Sequence, residues 1–219
     1  MIPSDALIAS VCASIYSVQA ELGAFDHYDA GLDDGICWGI KRIDGYDIVC
    51  LRGSVTFEDW LRDFRAIGLA TRVGTVHAGF YQGMEHAWAD IKPLLEGPAI
   101  VCGHSLGAAR ADVLTVLMIC DGVRPEARVV FGEPKPGFLD HAAIVGQVPG
   151  RSYRNGDSTH HDLVTDVPFW LPSLPFVHPT PIIPVTEVPE GSLFERMGVF
   201  AWHSIKLYAA ALTTLARAA

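Results

Sequence analysis

Five residues near the middle of the chain, Gly103-His104-Ser105-Leu106-Gly107, have the types and the spacing that nucleophilic catalysis by a serine requires. They follow a short apolar run, Ala99–Cys102, and lead directly into a segment rich in alanine and leucine. In that setting a strand passes into a helix through a turn so tight that the serine hydroxyl projects into an open site, and glycine is needed on either side. The N-terminus of the helix also offers unpaired N–H groups to a developing oxyanion. The pattern predicts that Ser105 is a catalytic nucleophile.

A serine nucleophile needs a histidine to take its proton and a carboxylate to orient that histidine. In folds with a strand–turn–helix elbow, the acid and then the histidine follow the serine along the chain. Three aspartates compete for the acid role, namely Asp157, Asp162 and Asp166. Apart from His104, five histidines follow the serine: His141, His160, His161, His178 and His203.

The elements that must position these residues alternate between strand and helix patterns. The predicted strands are Cys37–Ile43, Tyr46–Leu51, Ala99–Cys102, Ala127–Phe131, Arg151–Arg154 and Ile182–Val185. The predicted helices are Ser4–Glu21, Phe57–Phe64, Gly79–Leu95, Ser105–Asp121 and Ala201–Ala219. This alternation predicts an α/β fold in which helices cover both faces of a mainly parallel central sheet. We expect residues 1–219 to form a single domain.

Composition narrows the function classes. Half of the residues are hydrophobic, and the net charge is −9, which argues against nucleic acid as a partner. The N-terminus lacks a basic region followed by an apolar core, and the five cysteines are scattered, so we expect a reduced, cytoplasmic protein, with release by another route left open. His160-His161-Asp162 could suggest a metal site, but adjacent residues on an extended chain point in different directions, so we expect no metal and no cofactor.

Further motifs give the elbow a family context. Ile48–Ser54 ends in Arg-Gly-Ser and is followed by Trp60-Leu61-Arg62-Asp63. Val76–Phe80 contains His-Ala-Gly-Phe, and Phe131–Gly137 reads Phe-Gly-Glu-Pro-Lys-Pro-Gly. In this order the motifs resemble the class 3 lipase family, the fungal triacylglycerol lipase-like α/β-hydrolases. The resemblance extends from about residue 48 to His203 and implies an α/β-hydrolase fold.

The resemblance also ranks the candidates for the catalytic triad. Asp162 fits the register of the family pattern Asp-Ile-Val-Pro, with Asp157 as the rival because Asn155-Gly156 stands just before it. His203 resembles the family's last histidine, which precedes a helix carrying a tyrosine, and His178 is its competitor. The implied oxyanion hole combines the Leu106 N–H with Ser54, which could instead cap the next predicted helix.

The implied activity is hydrolysis of carboxylic esters through an acyl-enzyme. Phe57, Trp60 and Leu61 lie where fungal lipases carry a lid, so they are candidates for a lid or for substrate contact, although such a stripe also suits ordinary core packing. We expect the substrate to be a lipid or another small-molecule ester. Transient contact with a lipid interface is compatible with this expectation. The sequence does not determine the oligomeric state. The alternatives are an esterase for short-chain or glycan-linked esters, and a hydrolase-fold binding module without activity.

Overall fold

One central sheet of seven strands organises the described part of the chain. The computed structural model describes residues 2–17, 20–32, 35–53, 67–168, 173–190 and 201–218. In chain order the strands are β1 His27–Asp29, β2 Trp38–Ile43, β3 Tyr46–Leu51, β4 Gly68–Thr71, β5 Gly74–His77, β6 Ala99–His104, β7 Ala127–Phe131, β8 Gly150–Asn155 and β9 Ile182–Val185. The sheet order is β1-β2-β3-β6-β7-β8-β9, whereas β4 and β5 form a separate hairpin.

The direction of the strands agrees with the expected architecture. Strands β3, β6, β7, β8 and β9 pair in parallel, and the β2–β3 hairpin and β1 add two antiparallel pairs at one edge. The mainly parallel sheet predicted from the alternating pattern is confirmed. Because the carboxyl ends of parallel strands meet at one edge, residues that follow β3, β6, β7 and β8 are brought together there.

Helices cover both faces of this sheet. They are α1 Asp5–Ser14, α2 Ala78–Tyr81, α3 Met84–Ile91, α4 Leu106–Cys120, α5 Leu139–Val145 and α6 Ile205–Ala218. On one face, α3 and α4 pack with Val49, Leu51 and Val101 into one buried apolar cluster. On the other face, α1 and α6 pack over Ile48 and Ile100 and form a second cluster. Successive residues of a strand therefore enter opposite cores, which is why β3 and β6 read as unbroken apolar runs.

The N-terminal helix begins as expected and ends early. The Ser4 hydroxyl accepts a hydrogen bond from the Leu7 N–H at 3.3 Å, as an N-cap does. The predicted helix extends to Glu21, whereas α1 ends at Ser14. Near this end the hydroxyl of Ser14 donates to the carbonyl of Val11 at 2.7 Å. Serine side chains that bond to nearby carbonyls compete with the helical ladder, which favours termination here.

The predicted helix Gly79–Leu95 consists of three pieces in the structure. These are α2, α3 and a 3-10 turn over Lys92–Leu94. Gly83 separates the first two because its φ of 80° lies in the left-handed region, outside the helical range. Pro93 lies in the 3-10 turn. The interior of an α-helix would not accept a proline, because it lacks the backbone N–H and its ring clashes with the preceding turn. The prediction of one continuous helix was therefore wrong.

Several short elements escape the sequence pattern altogether, namely β1, the β4–β5 hairpin and α5. The strands have only three or four residues each, and α5 has seven. None of the helices in the described ranges is long and apolar enough to cross a membrane. The predicted helix Phe57–Phe64 lies outside the described residues, and the cytoplasmic location stays a prediction.

Candidate active site

The strand-to-helix turn at Ser105 has the backbone that a nucleophile elbow requires. Ser105 lies between β6 and α4 with φ 61° and ψ −132°, a positive φ that non-glycine residues rarely adopt. A Cβ atom at Gly103 would lie 2.2 Å from the carbonyl oxygen of Gly107. One at Gly107 would lie 2.1 Å from the carbonyl oxygen of Leu51 on β3. The turn can be this tight only because both flanking residues are glycine.

The second feature of the site is a buried pair formed by Asp162 and His203. The Nδ1 of His203 lies 2.7 Å from Oδ2 of Asp162, and the two side chains are 8% and 0% exposed. Asp162 follows β8, and His203 precedes α6. A carboxylate at this distance holds the imidazole with Nδ1–H toward the acid, which leaves Nε2 as the basic nitrogen.

Asp162 accepts two further hydrogen bonds. The hydroxyl of Tyr208 donates to Oδ2 at 2.5 Å, and the N–H of Val164 donates to Oδ1 at 3.0 Å. Burial raises the pKa of Asp162, but the charge and hydrogen bond of His203 and the hydrogen bond of Tyr208 outweigh burial, so the net shift is downward. The acid is therefore held in its ionised form.

Gly132 lies directly against the Asp162–His203 pair. It directly follows β7 and has φ 57°. A Cβ atom here would lie 2.6 Å from Oδ2 of Asp162 and 3.0 Å from Nδ1 of His203. The Phe131-Gly132 motif thus corresponds to a place where the acid and the histidine approach the sheet backbone too closely for any side chain.

His104 connects the elbow to the segment that carries His203. Its Nε2 lies 2.6 Å from the carbonyl oxygen of His203, and its Nδ1 lies 3.1 Å from the hydroxyl of Tyr16. Because a carbonyl only accepts, Nε2 carries the proton, and Nδ1 accepts from the Tyr16 hydroxyl. That hydroxyl in turn accepts from the Gly53 N–H at 2.8 Å. This chain of hydrogen bonds fixes the position of the His203 backbone relative to the turn that carries Ser105.

The predicted oxyanion hole is described only in part. Leu106 is the first residue of α4, so its N–H has no partner within the helix. Gly53 lies against the elbow, since a Cβ atom there would lie 2.9 Å from Cβ of Ser105. The predicted second donor, Ser54, follows directly and lies outside the described residues, as do the lid candidates Phe57, Trp60 and Leu61.

The rival residues lie in other surroundings. Asp157 is exposed, and its carboxylate accepts hydrogen bonds from the N–H groups of Thr159 and His160, both at 2.7 Å. Asp166 pairs with His161 at 2.9 Å. The competing histidine, His178, lies 2.8 Å from the carbonyl oxygen of Thr165 through Nε2. Among the candidates for acid and base, Asp162 and His203 form a buried pair, whereas Asp166 and His161 form a second pair whose side chains are 38% and 19% exposed. The catalytic roles of Asp162 and His203 stay predictions.

The sequence interpretation missed two residues that support the site. Asn155, at the end of β8, donates to the carbonyls of Glu187 and Trp202 at 3.0 and 3.3 Å, which ties down the segment before His203. Tyr16 lies 88 residues away from His104 along the chain. The Asn155-Gly156 pair was a usable signal for the first, whereas nothing in the local sequence marks Tyr16.

The fold and the elbow define the chain as an α/β-hydrolase, and comparison with solved structures agrees. The lipase from Rhizopus microsporus var. chinensis superposes with a TM-score of 0.70 at 18% identity, covering 86% of this chain and 75% of that one. Lipase II from Rhizopus niveus gives 0.70 at 20% identity, with 83% and 79% covered. The triacylglyceride lipase of Rhizomucor miehei gives 0.69 at 17% identity, with 93% and 96% covered.

The family assignment comes from the sequence profile. The profile described as lipase (class 3) matches residues 48–171, which is more than half of the chain. The chain belongs to the class 3 lipase family, and it is a carboxylic-ester hydrolase. The α/β-hydrolase fold expected from the resemblance is confirmed. A search of curated proteins found no match.

The buried His104 should make the stability of the fold depend on pH. Burial, followed by the charge of His203, lowers the pKa of His104 to about 3. The pKa of a histidine in an unfolded chain is about 6.5. Between these values the unfolded state binds more protons than the folded state, so the free energy of unfolding should fall as the pH is lowered from 6.5 toward 3. This residue alone contributes a slope of up to about 1.4 kcal/mol per pH unit.

Urea unfolding at several pH values between 7 and 4 measures this slope. We expect His104→Gln to lower stability at pH 7 and to flatten the dependence below pH 6.5. His86→Gln, at an exposed position on α3, is the control and should keep the slope of the native protein. An unchanged slope in His104→Gln would contradict the assignment.

Proposed function

We propose that the protein hydrolyses acyl esters through an acyl-enzyme on Ser105, with His203 as general base and Asp162 as the acid that orients it. The observation that carries this proposal is the buried Asp162–His203 pair, at 2.7 Å, at the edge of the sheet where the elbow lies. Ser105 Oγ makes no hydrogen bond to a described residue. Catalytic hydrogen bonds of this kind often tighten only in the complex with substrate.

In the acylation step, Oγ of Ser105 attacks the ester carbonyl carbon while Nε2 of His203 takes the hydroxyl proton. The imidazolium that forms is stabilised by the ionised Asp162, which accepts the hydrogen bond from the Nδ1–H of His203. The carbonyl oxygen becomes an oxyanion, for which the Leu106 N–H and Ser54 are the proposed donors. His203 then gives its proton to the leaving alcohol, and the acyl group remains on Ser105.

Deacylation repeats these roles with water as the nucleophile. His203 takes a proton from the water, the water oxygen bonds to the acyl carbon, and the Ser105 ester bond breaks to release the carboxylic acid. Tyr208 and the Val164 N–H support both steps, because their hydrogen bonds to Asp162 stabilise the charged form of that buried carboxylate.

Labelling with a fluorophosphonate tests the nucleophile directly. Such a probe phosphonylates a serine whose hydroxyl is activated by a neighbouring base. We expect the native protein to take up one equivalent of the probe and Ser105→Ala to take up none. Circular dichroism of the variant checks that it folds. Equal labelling of Ser105→Ala, or no labelling of the native protein, would overturn the assignment.

Two aspartate variants separate the proposed acid from its rival. Asp162→Asn should lower kcat by roughly 10⁴-fold, because an amide favours the wrong tautomer of His203. Asp157→Asn changes an exposed residue whose carboxylate accepts two backbone N–H bonds in a turn, so it should keep kcat within about threefold. Steady-state hydrolysis of a soluble ester measures both. The reverse ranking would assign the acid role to Asp157.

For the substrate, we propose acyl esters of lipids. The relatives with the same fold are named as lipases, and one of them as a triacylglyceride lipase. In this chain, Ile67 and Leu69 are two residues apart at the start of β4, and they are 54% and 42% exposed. Such a group of side chains suits transient contact with a lipid surface.

A series of p-nitrophenyl esters from acetate to palmitate, with and without detergent micelles, tests this substrate class. We expect hydrolysis to extend to the long-chain esters. Replacing Ile67 and Leu69 together by serine should weaken turnover of the long-chain esters more than that of the acetate, because only the former present an apolar surface. Activity confined to acetate and butyrate would instead favour a short-chain esterase.

A further inference from the structure

Three cysteines that the hydrolytic site does not use meet in the interior of the protein. The sulfur atoms of Cys12, Cys50 and Cys102 all lie within 4.8 Å of one another. Each residue is 0% exposed, and none forms a disulfide. We call these residues the thiol cluster. Their meeting is a property of the tertiary structure, since they lie on separate elements and far apart along the chain.

The sheet register explains the convergence. Cys50 on β3 and Cys102 on β6 are direct partners in a parallel pair, so their side chains project side by side on the same face of the sheet. The helix α1 packs on that face and supplies Cys12 from above. The surroundings are apolar, including Ile8, Ile15 and Val129, which belong to the same buried cluster.

The number of thiols and the lack of other ligands restrict what the cluster can bind. Among the described residues, no histidine or carboxylate joins the three sulfurs as a fourth ligand. Structural zinc sites use four protein ligands, so three thiols fit them poorly. Soft thiolate ligands favour thiophilic ions. Three thiolates on a monovalent or divalent ion leave a net negative charge, which is costly in an apolar core.

A trivalent metalloid removes this difficulty, because three thiolates on a 3+ centre form a neutral adduct. We propose that the thiol cluster is a binding site for trivalent arsenic, taken up from arsenous acid. In the balanced reaction, three As–O bonds and three S–H bonds break, and three As–S bonds form. The three hydroxyl groups leave with the three thiol protons as three molecules of water, so no oxidant or reductant is needed.

The geometry requires only small shifts. Bonds between thiolate sulfur and a metal such as zinc are about 2.3 Å long, so three sulfurs evenly placed around one atom lie at most about 4.0 Å apart, and closer in a pyramid. Sulfurs already within 4.8 Å need to draw together by about 1 Å. Since all three are buried, arsenic enters when α1 opens locally, and binding should be slower than reaction at the exposed Cys120.

The thiol cluster also lies directly behind the hydrolytic site. Cys102 is two residues before His104, and Cys50 is three residues before Gly53. Cys12 is four residues before Tyr16, whose hydroxyl contacts both of these groups. Drawing the three sulfurs together therefore pulls on each segment of the hydrogen-bond chain that sets the position of His203. We expect bound arsenic to inhibit ester hydrolysis without touching Ser105.

The first experiment incubates the native protein with arsenite and measures binding without reference to activity. Native mass spectrometry should show one arsenic per chain, and X-ray absorption at the arsenic edge should show three sulfur neighbours. The three-thiol site exists only in the folded chain, so at 100 times Kd the adduct should raise Tm by roughly 5–10 °C. A complex with one or two sulfur neighbours, or no complex, would overturn the proposal.

Matched variants locate the site. Cys12→Ala and Cys102→Ala should each lower the affinity for arsenite at least tenfold. Cys37→Ala, which removes a buried thiol of the same core outside the cluster, should bind as the native protein does, and so should Cys120→Ser. If the Cys37 or Cys120 variant loses binding as strongly as the cluster variants, the assignment to the thiol cluster is wrong.

The inhibition rests on the proposed function, and it is measured separately. Arsenite should slow hydrolysis by the native protein at least tenfold with a lag of minutes, and it should not slow Cys12→Ala. A three-sulfur adduct in a protein that hydrolyses no ester would refute the proposed function and leave the site standing. Full activity of the fully loaded protein would refute the coupling between the two sites.

Discussion

The close approach of three backbone segments at Ser105 is the constraint on which the rest of the site depends. Gly103 and Gly107 let the ends of β6 and α4 touch, and Gly107 also lies against the carbonyl of Leu51 on β3. No side chain fits between these segments, so the Ser105 side chain points away from them and its backbone adopts a positive φ. The strain of about 1–3 kcal/mol that such a conformation costs is offset by the packed sheet on both sides.

From this fixed point the other groups are placed by hydrogen bonds to backbone atoms. His104 holds the carbonyl of His203, and Asn155 holds the carbonyl of the preceding Trp202. The segment that carries the histidine is therefore anchored at two consecutive peptide groups, independently of the imidazole itself. Anchoring the backbone leaves Nε2 of His203 to its proposed work as base, while Asp162 orients the ring from the other side.

The fold was predictable wherever one segment carries its own signal. The apolar runs of β3, β6 and β7 and the turn at Ser105 are local, and their bounds agree closely with the structure. Strand β1 and the β4–β5 hairpin have three or four residues per strand and are made stable by tertiary packing, so a periodicity of hydrophobic residues cannot reveal them. The same reason applies to Tyr16, whose position depends on how α1 docks and on nothing in its neighbourhood along the chain.

The acid shows most clearly what motif and geometry each contribute. Asp157 and Asp162 are only five residues apart, and the chain between them forms a turn in which the exposed Asp157 caps backbone N–H groups. Asp162 is buried, and a buried carboxylate is tolerated only if donors surround it. The Val164 N–H, from the turn that begins at Asp162, and His203 and Tyr208, from just before and within the start of α6, meet that need. Each donor would be a costly neighbour for an apolar side chain at position 162, so the pocket and the acid require one another.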